Sequence, residues 1–320
     1  MRLASDVVGA LADRQAGVVT TAQLTSLGAD AVWIGRQVRS GRWRRLHRGV
    51  LLTYSGPVSW RSRVWAALLY AGPGAALSHR AAAVRHEFLP VPPRLVDVTI
   101  PATRRVTPSP GLTIHLRTGR VRAAGRPRTT WRADTVVDLV ASAATVDDAV
   151  GWVCSAGRAG ASRAEILDAA EHRGRFRNSA LLREIVADVA SGIESPLERR
   201  YHRDVERRHR LPRAELQVSE SVRGLWIRAD VVYDEFGVRA ELDGNIGHPG
   251  GRTDEDTWRD NAVVLATGDL TLRYRWRHVA VDPCATAAQV TTALTRGGWQ
   301  GAPRPCSPTC AVRVDDRQPR

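Results

Sequence analysis

The sequence predicts a mixed α/β (α+β) fold, because helical and strand periodicities occupy separate stretches of the chain. Residues 6–40 repeat apolar side chains at helical spacing, with a break at Gly28. Residues 226–242 instead alternate apolar and polar side chains in two runs split by a turn. Short helical and strand patterns alternate between these two stretches.

With 320 residues, the chain has room for two or three domains. We divide it where the patterns change and where arginine-rich stretches interrupt them. The predicted segments are an N-terminal domain (1–55), a connecting α/β domain (56–190), a C-terminal domain (191–300) and a tail (301–320). The tail is rich in Pro, Cys and Arg, and we expect it to be disordered.

Charge points to the class of partner. The formal net charge is +14, and all 47 basic residues are arginine, since the chain contains no lysine. Arginine in place of lysine is typical of a GC-rich genome, but that bias does not explain the excess of arginine over acids. A strongly basic protein favours a polyanionic partner, and we expect double-stranded DNA.

The predicted location is the cytoplasm, with no membrane association. The first residues carry Asp6 and Asp13 and lack the apolar core of a signal peptide. No apolar run approaches the ~18 residues that a membrane span needs. Four cysteines are too few for a disulfide framework in a chain of this length. Cys306 and Cys310 have no further ligands nearby in sequence, so their spacing does not predict a zinc site.

The first 55 residues predict helix, short turn, helix and basic hairpin, which is the order of a winged helix-turn-helix. Thr20 or Thr21 caps the second helix, Asp30 caps the third, and Gly41 ends it. In such a domain the third helix enters the major groove and the hairpin touches phosphate. The candidate DNA-binding residues are Arg36, Arg39, Arg42, Arg44, Arg45 and Arg48. The alternative is a basic, solvated face.

The string Gly41–Val50 (GRWRRLHRGV) and the string Ala76–Ala83 (ALSHRAAA) carry a family resemblance. Residues 5 to 140 resemble the N-terminal region of AbiEi-type antitoxins of type IV toxin–antitoxin systems. The resemblance implies that the N-terminal domain binds promoter DNA and represses its own operon. It also implies a cognate toxin as a partner.

In the C-terminal domain, the two strand runs Trp226–Tyr233 and Val238–Leu242 predict a hairpin closed by Gly237. If Asp234 and Gly237 flank the loop, Asp230 lies opposite Glu241. Arg228 then lies opposite Asp243.

Facing carboxylates repel unless a cation lies between them, and Mg²⁺ prefers such oxygen ligands. The Asp230 and Glu241 pair therefore indicates a metal site. The alternative is a solvated sheet face on which Arg228 neutralises Asp243.

Two further residues are candidates for the same site. Ser195 and Pro196 begin a helix that places Glu198 in its first turn, where it could approach the metal or simply favour the helix N-terminus. His248 follows the acidic strand in a glycine-rich loop, where it could assist proton transfer or have no role.

An acid on one strand and an acid-rich triplet on the next resemble the PD-(D/E)XK nuclease fold. A longer series of motifs comprises Glu241–Gly244, His248, Trp258–Asn261, Gly268 and the strand Leu270–Trp276. This series is similar to the branch of very-short-patch-repair endonucleases, which also carries an acidic helix before the first strand. The start of the acidic helix matches Gly192–Glu198.

The resemblance implies a restriction-endonuclease-like fold for 191–300 and a catalytic set. That set is Glu198, Asp230, Glu241, Asp243 and His248, with Glu198, Asp230 and Glu241 binding Mg²⁺, for which Mn²⁺ can substitute. Two residues depart from the pattern: Pro249 stands at the second histidine position, and Asp243 replaces the triplet lysine.

The sequence therefore supports two functions. The first is a DNA-interacting protein with a Mg²⁺-dependent endonuclease domain that hydrolyses phosphodiester bonds. The alternative is a non-catalytic DNA-binding transcriptional regulator or antitoxin with a degenerate nuclease domain.

Overall fold

The structure is a computed structural model that describes residues 5–222, 225–243 and 254–312. The chain divides between Arg183 and Glu184 into two compact units, here called the N-terminal unit and the C-terminal unit. No helix in the described ranges is long and apolar enough to cross a lipid bilayer.

The N-terminal unit opens with helices and a small antiparallel sheet in the order expected from the sequence. A capping box at Thr20 starts the second helix, and the Asp30 side chain accepts a hydrogen bond from the Trp33 amide to start the third. The sheet order is β1-β3-β2. The elements are α1 (Ser5–Arg14), β1 (Val18–Thr20), α2 (Thr21–Ser26), α3 (Ala31–Arg39), β2 (Arg44–His47) and β3 (Val50–Leu52).

The predicted boundary at residue 55 is crossed by a shared core. Helix α4 (Trp60–Ala71) buries Ala66 against Val18, Val50 and Leu52 of the small sheet. The two predicted segments therefore pack as parts of one unit.

A second sheet of the N-terminal unit has the strand order β6-β5-β4-β8-β7. Within it, residues 96–101 and 112–117 form two strands that pair in parallel. Three helices follow the sheet. The elements are β4 (Ala76–Leu77), α5 (His79–Arg85), β5 (Val96–Pro101), β6 (Leu112–Arg117), β7 (Ala123–Ala124), β8 (Thr129–Thr130), α6 (Arg132–Ser142), α7 (Val146–Arg158) and α8 (Arg163–Arg173).

A buried charge ties the second sheet to its helices. Asp138 of α6 is fully buried and pairs with Arg117 of β6, which is 7% exposed. The same carboxylate oxygen lies 2.9 Å from a guanidinium nitrogen of Arg173, at the end of α8. A buried carboxylate needs such partners, because an isolated charge in the interior is very costly.

The C-terminal unit has a four-stranded sheet in the order β12-β11-β10-β9. Strands β9, β10 and β11 are antiparallel neighbours, and β12 joins β11 in parallel. Helix α10 continues into a π-helical turn, Tyr201–Arg207. The elements are α9 (Ser179–Ala190, which spans the division), α10 (Pro196–Arg200), β9 (Glu215–Val222), β10 (Leu225–Tyr233), β11 (Val238–Asp243), α11 (Asp254–Thr267), β12 (Leu270–Arg275), α12 (Trp276–Ala280) and α13 (Pro283–Arg296).

The first part of the predicted disordered tail is packed. Residues 301–312 have a described structure, and Cys310 and Val312 are 3% and 2% exposed within the core of the C-terminal unit. The expectation of disorder is wrong for these residues, because composition alone does not show that a Pro-rich segment can cover an existing core. Residues 313–320 lie outside the described residues.

Replacing Asp138 by Ala should destabilise the N-terminal unit by about 3–5 kcal/mol, because it leaves Arg117 buried without its partner. Chemical denaturation of parent and variant measures the difference. The control is Asp168→Ala, whose carboxylate is 62% exposed and pairs with Arg122 at 2.8 Å. That change should cost only about 0–1 kcal/mol. Equal losses in the two variants would contradict this account of the buried charge.

Candidate functional site

Helix α3 separates an apolar side from a basic side. Ile34 is buried in the N-terminal core and Val38 packs against it, which fixes the rotation of the helix. Arg36 and Arg39 consequently lie on the exposed side. This is the helix that the sequence predicts as the DNA-reading element.

The hairpin β2–β3 carries the remaining predicted arginines. Arg44 and Arg45 lie on β2, and Arg48 lies with Gly49 in the two-residue turn between the strands. Gly49 has φ +74°, a left-handed conformation that glycine adopts without strain. All three arginines are exposed, so the turn presents charge at its tip.

An aromatic contact holds the hairpin against α3. The rings of Trp33 and Trp43 meet edge to face with centroids 5.4 Å apart. The Trp43 amide also donates a hydrogen bond to the Gln37 carbonyl. Because the two elements are joined, their arginines form one surface, here called the basic face. It comprises Arg36, Arg39, Arg42, Arg44, Arg45 and Arg48.

The basic face carries charge that the described parts of the chain do not neutralise. Arg44 donates a hydrogen bond of 2.7 Å to the Gly56 carbonyl. Within residues 5–222, 225–243 and 254–312, no acidic side chain pairs with the six arginines. Exposed guanidinium groups whose charge is not neutralised by a nearby acid attract a polyanion such as the DNA backbone.

The acidic site of the C-terminal unit depends on the hairpin β10–β11. The observed pairs are Val231 with Ala240, Val232 with Arg239, and Tyr233 with Val238. This is the register that the sequence predicts, and Gly237 closes the turn with φ +56°. Extended by one residue, it sets Asp230 beside Glu241.

The two faces of the hairpin divide as predicted. One face is buried in the core and consists of Ile227, Ala229, Val231, Tyr233, Val238, Ala240 and Leu242. Asp230, Glu241 and Asp243 lie on the other face and are partly exposed. Burying the apolar face therefore determines where the acids lie.

Glu198 reaches the same site from α10. The Ser195 hydroxyl accepts a hydrogen bond from the Glu198 amide, and Pro196 occupies the first helical turn, as predicted. The Glu198 side chain is 7% exposed and accepts a 2.7 Å hydrogen bond from the Glu194 amide. Glu198 thus both stabilises the helix start and lies beside Asp230, whose charge acts on it.

Gln217 is a site residue that the sequence analysis missed. It lies on β9 at the position opposite Asp230 and has a positive φ of 53°. Its amide donates a hydrogen bond to Asp230 over 3.4 Å, and its proximity to Glu198 lowers the pKa of that carboxyl. A lone glutamine on a predicted strand carries no signal in the sequence, because its role depends on two acids that come from other elements.

The pKa values of Glu241, Asp230 and Glu198 all lie above their ordinary values. Burial raises the pKa of Glu241 to about 7, and the charge of Asp230 adds to the rise. Burial also raises the pKa of Asp230 and of Glu198, although each accepts backbone hydrogen bonds that partly offset the effect. A cluster that disfavours its own ionisation is a site where a cation would be stabilised.

The ion pairs that arginines make at the edge of the acidic cluster differ from the pair that the sequence predicts. Arg228 pairs with Glu194 and not with Asp243. Asp243 lies 3.6 Å from a guanidinium nitrogen of Arg273 on the neighbouring strand β12. Arg273 was also missed, because its approach depends on the parallel pairing of β11 with β12, which the sequence does not specify.

The donor set of Glu198, Asp230 and Glu241 is chemically suited to Mg²⁺ or Mn²⁺, since all three offer carboxylate oxygens. Their oxygens do not form a tight set: among the described residues, these acids are not in a group of three whose ligand atoms lie within 4.8 Å of one another. His248 lies outside the described residues.

Comparison with known proteins gives a family match in the N-terminal unit. Residues 8–53 match the family model of the transcriptional regulators described as AbiEi antitoxins. A search of curated proteins found no match. Among solved structures, the RV2827C protein from Mycobacterium tuberculosis aligns with a TM-score of 0.41 and 18% identity, over 58% of this chain and 76% of that one.

The match to the AbiEi regulators confirms the resemblance stated above for residues 8–53. It covers α2, α3 and the hairpin β2–β3, which are the elements that carry the basic face. The resemblance of the C-terminal unit to PD-(D/E)XK nucleases stays a prediction.

Replacing Glu241 by Gln should stabilise the protein at neutral pH, because it removes a carboxylate whose ionised form is disfavoured by burial and by Asp230. Solvent screens this partly exposed carboxyl, so the gain should be on the order of 1 kcal/mol. Folded Glu241 keeps its proton up to a pKa of about 7, against an ordinary value of 4.5. The ionisation of Glu241 therefore lowers the stability of the parent as pH rises between these values, and the variant lacks that contribution. Denaturation from pH 4 to pH 8 without added divalent metal measures this.

The control for this experiment is Glu215→Gln, which removes an exposed acid of β9 from the same sheet. At each pH, the Glu241→Gln difference from the parent is compared with the difference that this control gives. A Glu241→Gln difference that is independent of pH would contradict the raised pKa of Glu241.

Proposed function

We propose that this protein is a DNA-binding transcriptional regulator of the antitoxin type, and that its N-terminal unit contacts duplex DNA through the basic face. One observation carries the proposal: residues 8–53, which match the AbiEi regulators, are also the residues that build this exposed, unneutralised surface. The surface therefore coincides with the part of the chain that matches the family model.

The geometry suits a duplex. Helix α3 has one buried and one basic side, so it can enter the major groove while Ile34 stays in the core. Arg48 at the hairpin turn can reach the adjacent phosphates. Arginine also binds phosphate through two parallel hydrogen bonds, which fixes orientation as well as adding affinity.

The regulator proposal includes a partner protein. Antitoxins act together with a toxin, and the AbiEi description of residues 8–53 supports a cognate toxin for this chain as well. Binding to the chain's own promoter would then control how much of both proteins is made.

Replacing Arg36, Arg39 and Arg45 together by Ala should weaken binding to promoter duplex and reduce its salt dependence. Each lost phosphate contact lowers the slope of log K against log salt by about 0.9, so the slope should fall by about 2–3. Fluorescence anisotropy at several salt concentrations measures both quantities.

The matched control removes three exposed arginines elsewhere in the N-terminal unit, Arg105, Arg120 and Arg163. It changes the net charge equally but should alter the slope by less than about one contact. Equal slopes in the two variants would show that net charge, and not the basic face, binds the DNA.

A second candidate function is metal-dependent hydrolysis of DNA by the C-terminal unit. The observation that favours it is the convergence of Glu198, Asp230 and Glu241 from three separate elements on one face. These residues would hold Mg²⁺, which would supply a polarised water and stabilise charge on the phosphate. Gln217 would orient Asp230 through its side-chain amide.

The chain contains no lysine, so a side chain other than lysine would have to accept the proton from the attacking water. His248 and Asp243 are the candidates that the sequence offers for this role. Arg273, which lies near Asp243, could contact the phosphate.

The parent protein should show a higher melting temperature in millimolar Mg²⁺ or Mn²⁺, because a ligand that binds only the folded state stabilises it. It should also nick plasmid DNA in those metals. Asp230→Asn should lose the thermal shift and lower cleavage by at least about 100-fold, since one metal ligand is removed. Glu215→Gln is the control and should retain both.

The outcomes separate the two functions. Without a thermal shift and without cleavage in the parent, the hydrolytic function is excluded and the regulator proposal stands on the DNA-binding experiment alone. Cleavage that persists in Asp230→Asn would show that the nuclease activity lies at another site.

A further inference from the structure

A second cluster of potential metal ligands lies in the C-terminal unit, apart from the acids of the β10–β11 hairpin. His209 follows the π-helical turn, Cys284 lies in the first turn of α13, and Cys306 and Cys310 lie in the C-terminal segment. One ligand atom from each residue lies within 4.8 Å of all the others. Three distant parts of the chain thus meet at one point.

The sulfur separations suit a metal better than a disulfide. The Sγ atoms of Cys284 and Cys306 are 3.4 Å apart, and those of Cys306 and Cys310 are 3.7 Å apart. A disulfide requires about 2.05 Å. Tetrahedral zinc, with Zn–S bonds of about 2.3 Å, separates its sulfur ligands by about 3.8 Å. All three cysteines are free thiols.

His209 is oriented as a zinc ligand would be. The residue is fully buried, and its Nδ1 donates a 2.9 Å hydrogen bond to the Val205 carbonyl. That bond leaves the lone pair on Nε2, which has no hydrogen-bond partner among the described residues. A buried imidazole nitrogen without a partner calls for an explanation, and metal-bound histidines commonly donate their other N–H in this way.

The local backbone favours thiolates. Cys284 follows Pro283 in the first turn of a 14-residue helix, where the helix dipole favours negative charge. Three thiolates this close together would repel one another, so all three can ionise only with a cation between them.

We propose that His209, Cys284, Cys306 and Cys310 bind one zinc ion in a closed, structural site. Thiolate and imidazole ligands in a tetrahedral set are typical of Zn²⁺. Binding converts three thiols to thiolates and releases up to three protons to solvent, with no change in oxidation state. Four protein ligands leave no open position for a substrate, so the role is structural.

The site explains why the C-terminal segment is packed. Cys310 and Val312 are buried in the same core as α13, and the Arg304 amide donates a 2.7 Å hydrogen bond to the His209 carbonyl. A zinc ion bound by Cys306 and Cys310 fastens this segment to α13 and to His209. A Cys284–Cys306 disulfide would instead leave His209 and Cys310 without partners.

The spacing of Cys306 and Cys310 by itself does not predict a zinc site. The other two ligands lie 97 and 22 residues before Cys306 in the chain, so no local motif joins them. Only the folded C-terminal unit brings them together.

The full-length protein, purified from zinc-supplemented cells in reducing buffer, should contain about one zinc ion per chain by elemental mass spectrometry. Alkylation followed by peptide mapping should show Cys284, Cys306 and Cys310 protected until a chelator is added. Replacing the zinc by Co²⁺ should give the intense visible bands of a tetrahedral site and a thiolate-to-cobalt charge-transfer band. These measurements need no variant and so do not depend on mutant folding.

Cys306→Ser and Cys310→Ser should each lose the bound zinc and the Co²⁺ charge-transfer intensity, and chelator should lower the melting temperature of the parent. Cys154→Ser is the matched control, because it removes a buried cysteine of the N-terminal unit. It should keep the zinc. His209→Ala should keep a thiolate-to-cobalt band but weaken zinc retention.

Several results would overturn the proposal. Zinc below one-tenth of the chain concentration, with all three thiols freely alkylated in the folded protein, would exclude the site. A Cys284–Cys306 disulfide in protein purified without oxygen would replace it. Equal zinc loss in Cys154→Ser and Cys306→Ser would show that the metal is bound elsewhere.

Discussion

The backbone pairing between β10 and β11 is the constraint on which the C-terminal unit depends. Because side chains alternate between the two faces of a strand, the same register that buries Val231 and Ala240 places Asp230 beside Glu241. A slip by one residue would expose the apolar face and bury the acids. Burial of the apolar face therefore offsets the repulsion between the acids. Burial of Glu241 and the nearby charge of Asp230 raise the pKa of Glu241.

Arginine is used in two opposite ways in this lysine-free chain. Inside the units it is paired: Arg117 lies against Asp138, and Arg239 bonds both Glu220 and Asp269. On the basic face it is exposed and unneutralised by described residues. The first use stabilises the interior, where a planar guanidinium can satisfy two acids at once. The second leaves charge available to a polyanion.

The two groups of potential metal ligands differ in chemistry. The acids near Asp230 offer hard oxygen ligands and do not form a tight set, as expected of a site that would need an incoming ion to draw it together. Asp230 and Glu241 are partly exposed, whereas Glu198 is buried. His209 and the three cysteines offer soft ligands, lie within 4.8 Å of one another and belong to a packed core. The first arrangement suits exchange with solvent, and the second suits permanent binding.

The sequence alone determined what depends on local pattern: the caps at Thr20, Asp30 and Ser195, the register of the β10–β11 hairpin, and the exposure of the arginines on α3 and β2. These follow from side-chain periodicity and turn chemistry within a few residues. Tertiary structure decided what depends on distant segments. Gln217 and Arg273 join the acids, the segment 301–312 is packed, and His209 meets the cysteines only because separate elements cover one core. Local periodicity specifies faces and turns, but it does not specify which faces meet.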